Sequence, residues 1–256
     1  MLIKNLVLLL KTATEDATDK YVDIFTKNDF KVRLVKTLDF KFRNLNVLSV
    51  LLKNPDDFSG LIFSSPRCVE AVHKSLCNER IKEEWRNNSN YVVGEKTYDY
   101  VLEKLGLVCK GKETGNASNL AKEIILDVDL LNGKPLLFPH GNLKTGTLEK
   151  DLGQKKIGIY NIEVYDTITN LDIEKELIKA TENYTKAPEY VVLFSPSGLK
   201  SSIEFLRKIP EFLDIKYVAV GPVTEAEILK TEIKLCKTAL KPNPEEILKA
   251  VESYTL

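Results

Sequence analysis

Two segments, LIFSSPRCVEAV (61–72) and VVLFSPSGLKSS (191–202), share one arrangement: an apolar run ending in Phe, then serine and proline, then residues at helical spacing. Ser64, Ser65, Ser195 and Ser197 therefore fall where a strand gives way to a helix. A helix start leaves N–H groups unpaired and presents the positive end of the dipole, so hydroxyls there can cap the helix or help it hold a carboxylate or phosphate. Other turns repeat too. YVVGEKT (91–97) and YVAVGPVT (217–224) place Gly94 with Thr97 and Gly221 with Thr224. ETGNA supplies Gly115 and Asn116, PHGNL supplies Gly141 and Asn142, and KPNPEE sets Asn243 before Pro244, as N-cap and first helical residue. Each single turn reads first as a cap worth about 1 kcal/mol. Their repetition points further, to an edge lined with donors.

Other chemistry is sparse. His73 and His140 are the chain's two histidines, and Cys68, Cys77, Cys109 and Cys236 show no metal-type spacing, so neither a catalytic triad nor a His/Cys metal site can be assembled. Cys68 follows Arg67 inside a predicted helix, which favours a buried thiol over a nucleophile. Tyr165, in IEVYDT, is a candidate proton donor or a packing residue, and Trp85 has no evident partner. Neither GxxxxGK[ST] nor GxGxxG occurs. Lys+Arg and Asp+Glu both total 37, so a bound anion must be held by local geometry, and a nucleic-acid or membrane-surface partner is not expected. Four helix starts contributing about 1–2 kcal/mol each would hold a polycarboxylate at roughly millimolar to micromolar affinity.

The elements that must carry these turns alternate. Strand candidates are 5–10, 30–35, 60–63, 91–94, 107–110, 135–138, 157–166, 190–194, 217–221 and 233–237, most of them nearly continuous apolar runs as in parallel strands covered on both faces. Stretches 118–126, 143–152, 224–231 and 245–253 have helical periodicity. This is an α/β pattern of doubly wound sheets. Gly94 to Cys109 and Gly221 to Cys236 are both 15 residues apart, so two similar domains are expected in the 256-residue chain. TLDFKF (37–42) and IEVYDT (162–167) alternate and could pair as a two-stranded connection. The opening apolar run, Leu6 to Leu10, ends at Lys11. It is short for a leader and far too short for a membrane span, and with four scattered thiols it makes a cytoplasmic protein the expectation.

Taken together, GLIFSSPRCVEAV, YVVGEKT, ETGNASNLA, PLLFPHGNLK, VYDT, FSPSGL and VAVGPVTEAEI resemble the uroporphyrinogen-III synthase family, in particular its animal members, over nearly the whole chain. The resemblance implies a discontinuous domain of residues 1–37 and 170–256, an inserted domain of 43–161, antiparallel connecting strands at 38–42 and 162–169, and a cleft between the domains. It implies cyclisation of hydroxymethylbilane, a linear tetrapyrrole with eight carboxylates, to uroporphyrinogen III. Water is lost and ring D inverted through a spiro-pyrrolenine, without a metal or cofactor. It further implies a monomer that takes its substrate by transient hand-over from hydroxymethylbilane synthase. Position by position, it assigns Tyr165 as general acid with Thr97 and Thr224 beside it in catalysis. Ser64, Ser65, Arg67, Gly115, Asn116, Gly141, Asn142, Ser195, Ser197 and Lys216 are assigned to the substrate, the two Gly–Asn turns through backbone N–H groups. Val223 stands where many members have threonine, and a basic residue common after Lys144 is missing. A non-enzymatic protein closing on a tetrapyrrole or another polyanion is the competing expectation.

Overall fold

A computed structural model describes residues 2–11 and 19–253. Its elements, in chain order, begin with β1 (Leu2–Lys11), α1 (Lys20–Lys27), β2 (Lys31–Lys36), β3 (Leu38–Phe42), α2 (Leu45–Leu52), β4 (Gly60–Phe63) and α3 (Pro66–Ser75). There follow β5 (Tyr91–Val92), α4 (Glu95–Leu105), α5 (Ala117–Leu126), β6 (Leu136–Gly141), α6 (Thr147–Gly153) and β7 (Ile159–Thr169). The chain ends through α7 (Ile173–Ala180), β8 (Ala187–Leu193), α8 (Pro196–Leu206), β9 (Lys216–Val220), α9 (Pro222–Ile228), β10 (Leu235–Ala239) and α10 (Pro244–Glu252). Two compact units result, one of the described residues up to Asp39 and from Ile168 onward, the other of Phe40–Thr167.

The first unit holds a parallel sheet in the order β10-β9-β8-β1-β2. Its inner strands β1 (from Leu6 to Leu10), β8 and β9 are largely apolar because both faces are covered, while the edge strands β2 and β10 carry Lys31, Arg33 and Lys237. Val7, Leu9, Tyr190 and Val192 pack with Phe25 of α1 and Ile247 and Val251 of α10. Their alternating neighbours Leu8, Leu10, Val191 and Leu193 pack with Leu177 of α7, Leu199 of α8 and Ile228 of α9. Each such buried side chain contributes about 1.5–3 kcal/mol. The second unit repeats the plan in the order β3-β7-β6-β4-β5, with β4–β5, β4–β6 and β6–β7 parallel. Leu61, Phe63 and Leu137 face α2, α3 and α4, while Ile62, Leu136 and Phe138 face α5 and α6.

The two sheets are related by a permutation of the chain. If β1, β2, β8, β9 and β10 are strands one to five of the first unit, its spatial order is 2-1-3-4-5. In the second unit the repeated turns equate β4 with β8 and β5 with β9, so β6 and β7 stand where β1 and β2 stand. The second unit thus runs three, four, one, two along the chain, with the single Lys110 bridge where strand five would lie and β3 added beside β7. The turns recur in sequence only where the two chain orders overlap, from β4 and from β8 onward. In such sheets the strand order reverses between strands one and three, and ligands bind outside the carboxyl ends there.

β3 and β7 are neighbours in the second sheet. Asn170 N–H donates to Thr37 C=O and Arg43 N–H to Val164 C=O, so the two segments run antiparallel. Several expectations need adjustment. Segment 107–110 does not form a strand, and Lys110 alone bridges Tyr91. Residues 143–146 turn rather than coil, and α6 starts after Gly146, which is left-handed at φ 72°. Thr231 Oγ1 donates to Ile228 C=O and the last helical turn of 224–231 is lost. Trp85 has partners after all: it is fully buried, stacks on Phe58, and its Nε1 donates to Leu52 C=O. Among the described residues no helix is long and apolar enough to cross a membrane.

Candidate active site

The two Ser-Pro turns have almost the same backbone. Ser65 lies at φ −161°, ψ 160° and Ser195 at φ −158°, ψ 155°, each followed by proline at the first helical position. Gly94 and Gly221 match as well, at φ 81° with ψ 163° and 157°. That region is open essentially to glycine alone, which explains why both turns carry it. Gly94 N–H donates to Gly111 C=O and Gly221 N–H to Ala239 C=O, a shared tether to the next segment.

The serines are nevertheless used differently. Ser195 Oγ accepts from Gly198 N–H at 3.0 Å and caps α8. Ser65 makes no side-chain cap bond to α3. Its Oγ lies 3.3 Å from the Tyr165 hydroxyl and 3.3 Å from Cys68 Sγ, with Ser64 Oγ 3.6 Å from the same sulfur. Since an N-cap hydroxyl contributes about 1 kcal/mol, Ser195→Ala is expected to destabilise its unit by about that amount, and Ser65→Ala by less than about 0.5 kcal/mol. Denaturant unfolding of both variants checks the difference.

Tyr165 reaches Ser65 through a local irregularity. The β6–β7 register runs Pro139 to Ile162 and His140 to Glu163, then shifts so that Gly141 faces Tyr165. Such a shift re-aims a side chain. The Tyr165 ring then lies on Gly141, where an added Cβ would sit 2.4 Å from Tyr165 Cζ and 2.8 Å from its hydroxyl. Phe40 meets the same ring edge-on, at 5.9 Å between centroids. The Arg67 guanidinium covers Phe40 at 4.2 Å and pairs with Glu70 at 2.6 Å. Burial raises the Tyr165 pKa above its ordinary value and the nearby Cys68 sulfur adds to the rise, while the Ser65 hydrogen bond and the Arg67 charge pull the other way. The phenol is therefore a protonated donor at neutral pH. His140, buried and with Nδ1 2.9 Å from Gly141 C=O, has its pKa lowered by burial and is neutral there.

In the second unit Ser64, Ser65, Arg67, Gly141 and Tyr165 come together at the carboxyl ends of β4 and β6, where its strand order reverses. A cavity of about 180 Å³ lies beside them, lined by Ser64, Phe138, Lys144, Thr147 and Glu149 among others. Lys144 is tied to Glu149 and, at 2.8 Å, to Asn161.

Other expected site residues take different places. Asn142 does not offer a free N–H: it donates to Tyr165 C=O, and Asn142 Oδ1 accepts from Thr167 N–H, so this residue prolongs the β6–β7 ladder and fixes the Tyr165 backbone. Gly141 acts by lacking a side chain. Asn116 Oδ1 caps α5 through Asn119 N–H, next to left-handed Gly115 at φ 65°. Thr97 and Thr224 occupy the third position of α4 and α9 and are buried. Thr97 lies at the start of α4, whereas Tyr165 on β7 meets the start of α3, and Thr224 belongs to the first unit. Ser197 contacts Ser195 Oγ at 3.1 Å. Lys216 is not at a carboxyl edge. It opens β9, roughly 16 Å of strand from Gly221, and pairs with Glu189 at 2.9 Å. Phe40 escaped the sequence reading, although the alternation of Leu38, Phe40 and Phe42 already set it on one face.

A family model described as uroporphyrinogen-III synthase HemD matches residues 19–249. The chain belongs to the uroporphyrinogen-III synthase family. Solved structures of such synthases share the fold. The Helicobacter pylori uroporphyrinogen-III synthetase is 18% identical, with 97% of this chain and 99% of that chain covered and a TM-score of 0.62. A mutant uroporphyrinogen III synthase from Thermus thermophilus is 12% identical, with 97% and 98% covered and a TM-score of 0.54. Membership in this enzyme family places the chain in tetrapyrrole biosynthesis, and the paired α/β sheets are the fold of those synthases.

Proposed function

We propose that Tyr165 acts as the general acid of a hydro-lyase reaction in which hydroxymethylbilane closes to uroporphyrinogen III. The observation that carries this role is the protonated Tyr165 hydroxyl, held 3.3 Å from Ser65 Oγ where the second sheet reverses its strand order. Tyr165 O–H protonates the hydroxymethyl oxygen, the C–O bond breaks, water leaves, and an azafulvene remains. The substituted carbon of ring D attacks it to give the spiro-pyrrolenine, which fragments and recloses with ring D inverted. The pyrrole proton released at closure restores the phenol. Proximity supplies most of the advantage, because the same bilane closes unaided without inversion. In the second unit, the starts of α3, α4 and α5 supply dipoles and N–H groups for substrate carboxylates. The cavity beside Ser64, about 180 Å³, suits one acetate or propionate arm and not the whole bilane. Equal totals of basic and acidic residues support a small anionic substrate over nucleic acid or a membrane surface. This reading has a cytoplasmic monomer receiving its bilane from the synthase that makes it.

Adding the purified protein to fresh hydroxymethylbilane should speed loss of the hydroxymethyl group far above the spontaneous rate. Tight binding with closure at the spontaneous rate would make the chain a tetrapyrrole-binding protein instead.

A further inference from the structure

The turns around Ser65 and Ser195 share one backbone but not one side-chain use, and the residue three positions on differs between them. After Ser195 it is Gly198, whose N–H donates to Ser195 Oγ. A Cβ built at Gly198 would stand 3.2 Å from that Oγ and 3.4 Å from Thr37 Oγ1. After Ser65 it is Cys68. Its N–H donates to Ser65 C=O, not to the hydroxyl, and its Sγ meets Ser65 Oγ at 3.3 Å. The thiol is wholly buried among Leu61, Val69 and Val72. We infer that Cys68 is a positioning residue: its sulfur, 3.3 Å from Ser65 Oγ, engages the serine hydroxyl in place of the α3 amide and holds it toward Tyr165. A thiol can do this because its sulfur is a weak donor and acceptor; a Cβ alone is no obstacle, since Asn116 caps α5 through Asn119 N–H. Burial raises the thiol pKa and keeps Cys68 neutral, so the pair adds no fixed charge beside the phenol. The inference deepens the reading of Tyr165 as the acid and rests on it for the effect on turnover, but not for the hydrogen-bond geometry.

The test uses the full chain as Cys68→Gly, Cys68→Ala and Cys68→Ser, each with carbon-13 at tyrosine Cζ. The Tyr165 resonance is assigned by its loss in Tyr165→Phe. In Cys68→Gly, Ser65 should return to the cap: the residue-68 amide should exchange about tenfold more slowly and the Tyr165 resonance should move. kcat should fall about tenfold with KM within about twofold, and Ser65→Ala should add almost nothing to that loss. Cys68→Ser should restore the resonance and kcat, which a purely structural role for the thiol does not predict. Should Cys68→Gly fail to fold, Cys68→Ala keeps the Cβ and removes the sulfur, and the Tyr165 resonance should still shift. An unmoved resonance in both variants, or a Ser65→Ala loss that multiplies fully with that of Cys68→Gly, overturns the inference. A moved resonance with normal turnover in Tyr165→Phe supports the positioning role and removes only the acid assignment.

Discussion

Tyr165→Phe is expected to lower kcat about 10- to 100-fold while changing KM less than about threefold. The substitution keeps the ring on Gly141 and against Phe40, so the loss reports the hydroxyl alone. Stability should fall by no more than about 0.5 kcal/mol, as in Ser65→Ala, because both variants lose the same long hydrogen bond. The pH dependence has a defined sign. Burial raises the Tyr165 pKa from its ordinary 10.0, so the phenol stays protonated and able to donate up to that pH, and donation fails only as pH rises through the higher value. The same shift favours the folded state below about pH 10 and loses that contribution above it. An alkaline fall in kcat above pH 10 should therefore be present in the wild type and absent in Tyr165→Phe. Steady-state kinetics with hydroxymethylbilane checks both points.

Gly141→Ala should be nearly as damaging, by steric displacement instead of lost chemistry. A Cβ there falls 2.4 Å from Tyr165 Cζ and 2.5 Å from Cε2, well inside van der Waals contact. The ring has to lift away. Asn142 N–H holds the Tyr165 carbonyl, so the backbone resists following, and the 3.3 Å contact with Ser65 is the part that gives. Overpacking of this kind costs about 1–3 kcal/mol. Turnover should fall about tenfold or more, and combining it with Tyr165→Phe should add little, because both remove one interaction. A double-mutant cycle on kcat and on denaturant unfolding measures the coupling. Full additivity would separate Gly141 from the tyrosine.

Much of the fold was legible because its signals are local. Runs such as VVLF and LIF betray strands covered on both faces, and the Ser-Pro and Gly turns mark helix starts whose backbone angles agree between the units to within a few degrees. Alternation suggested only that 37–42 and 162–167 could pair; their antiparallel direction came from the family resemblance. Less legible was what depends on register. Nothing in PHGNL shows that a shift after His140 brings Gly141 under a tyrosine on β7, so its glycine and asparagine read as donors. In the structure one makes room and the other extends a ladder. Lys216 was assigned to the substrate through the family resemblance alone; it lies at the beginning of β9, with Gly221 just past its end. Trp85 and the 107–110 segment depend on packing across the fold, which spacing does not encode. Ser65 and Ser195 looked equivalent because the residue that separates their roles, Cys68 or Gly198, lies a helical turn away.

The product formed from fresh hydroxymethylbilane tests the central claim most directly. After oxidation, the type I and type III uroporphyrin isomers are separated and weighed against a reaction without protein. Predominant type III establishes inversion of ring D and is the predicted result. Type I alone, at the rate seen without protein, would contradict it.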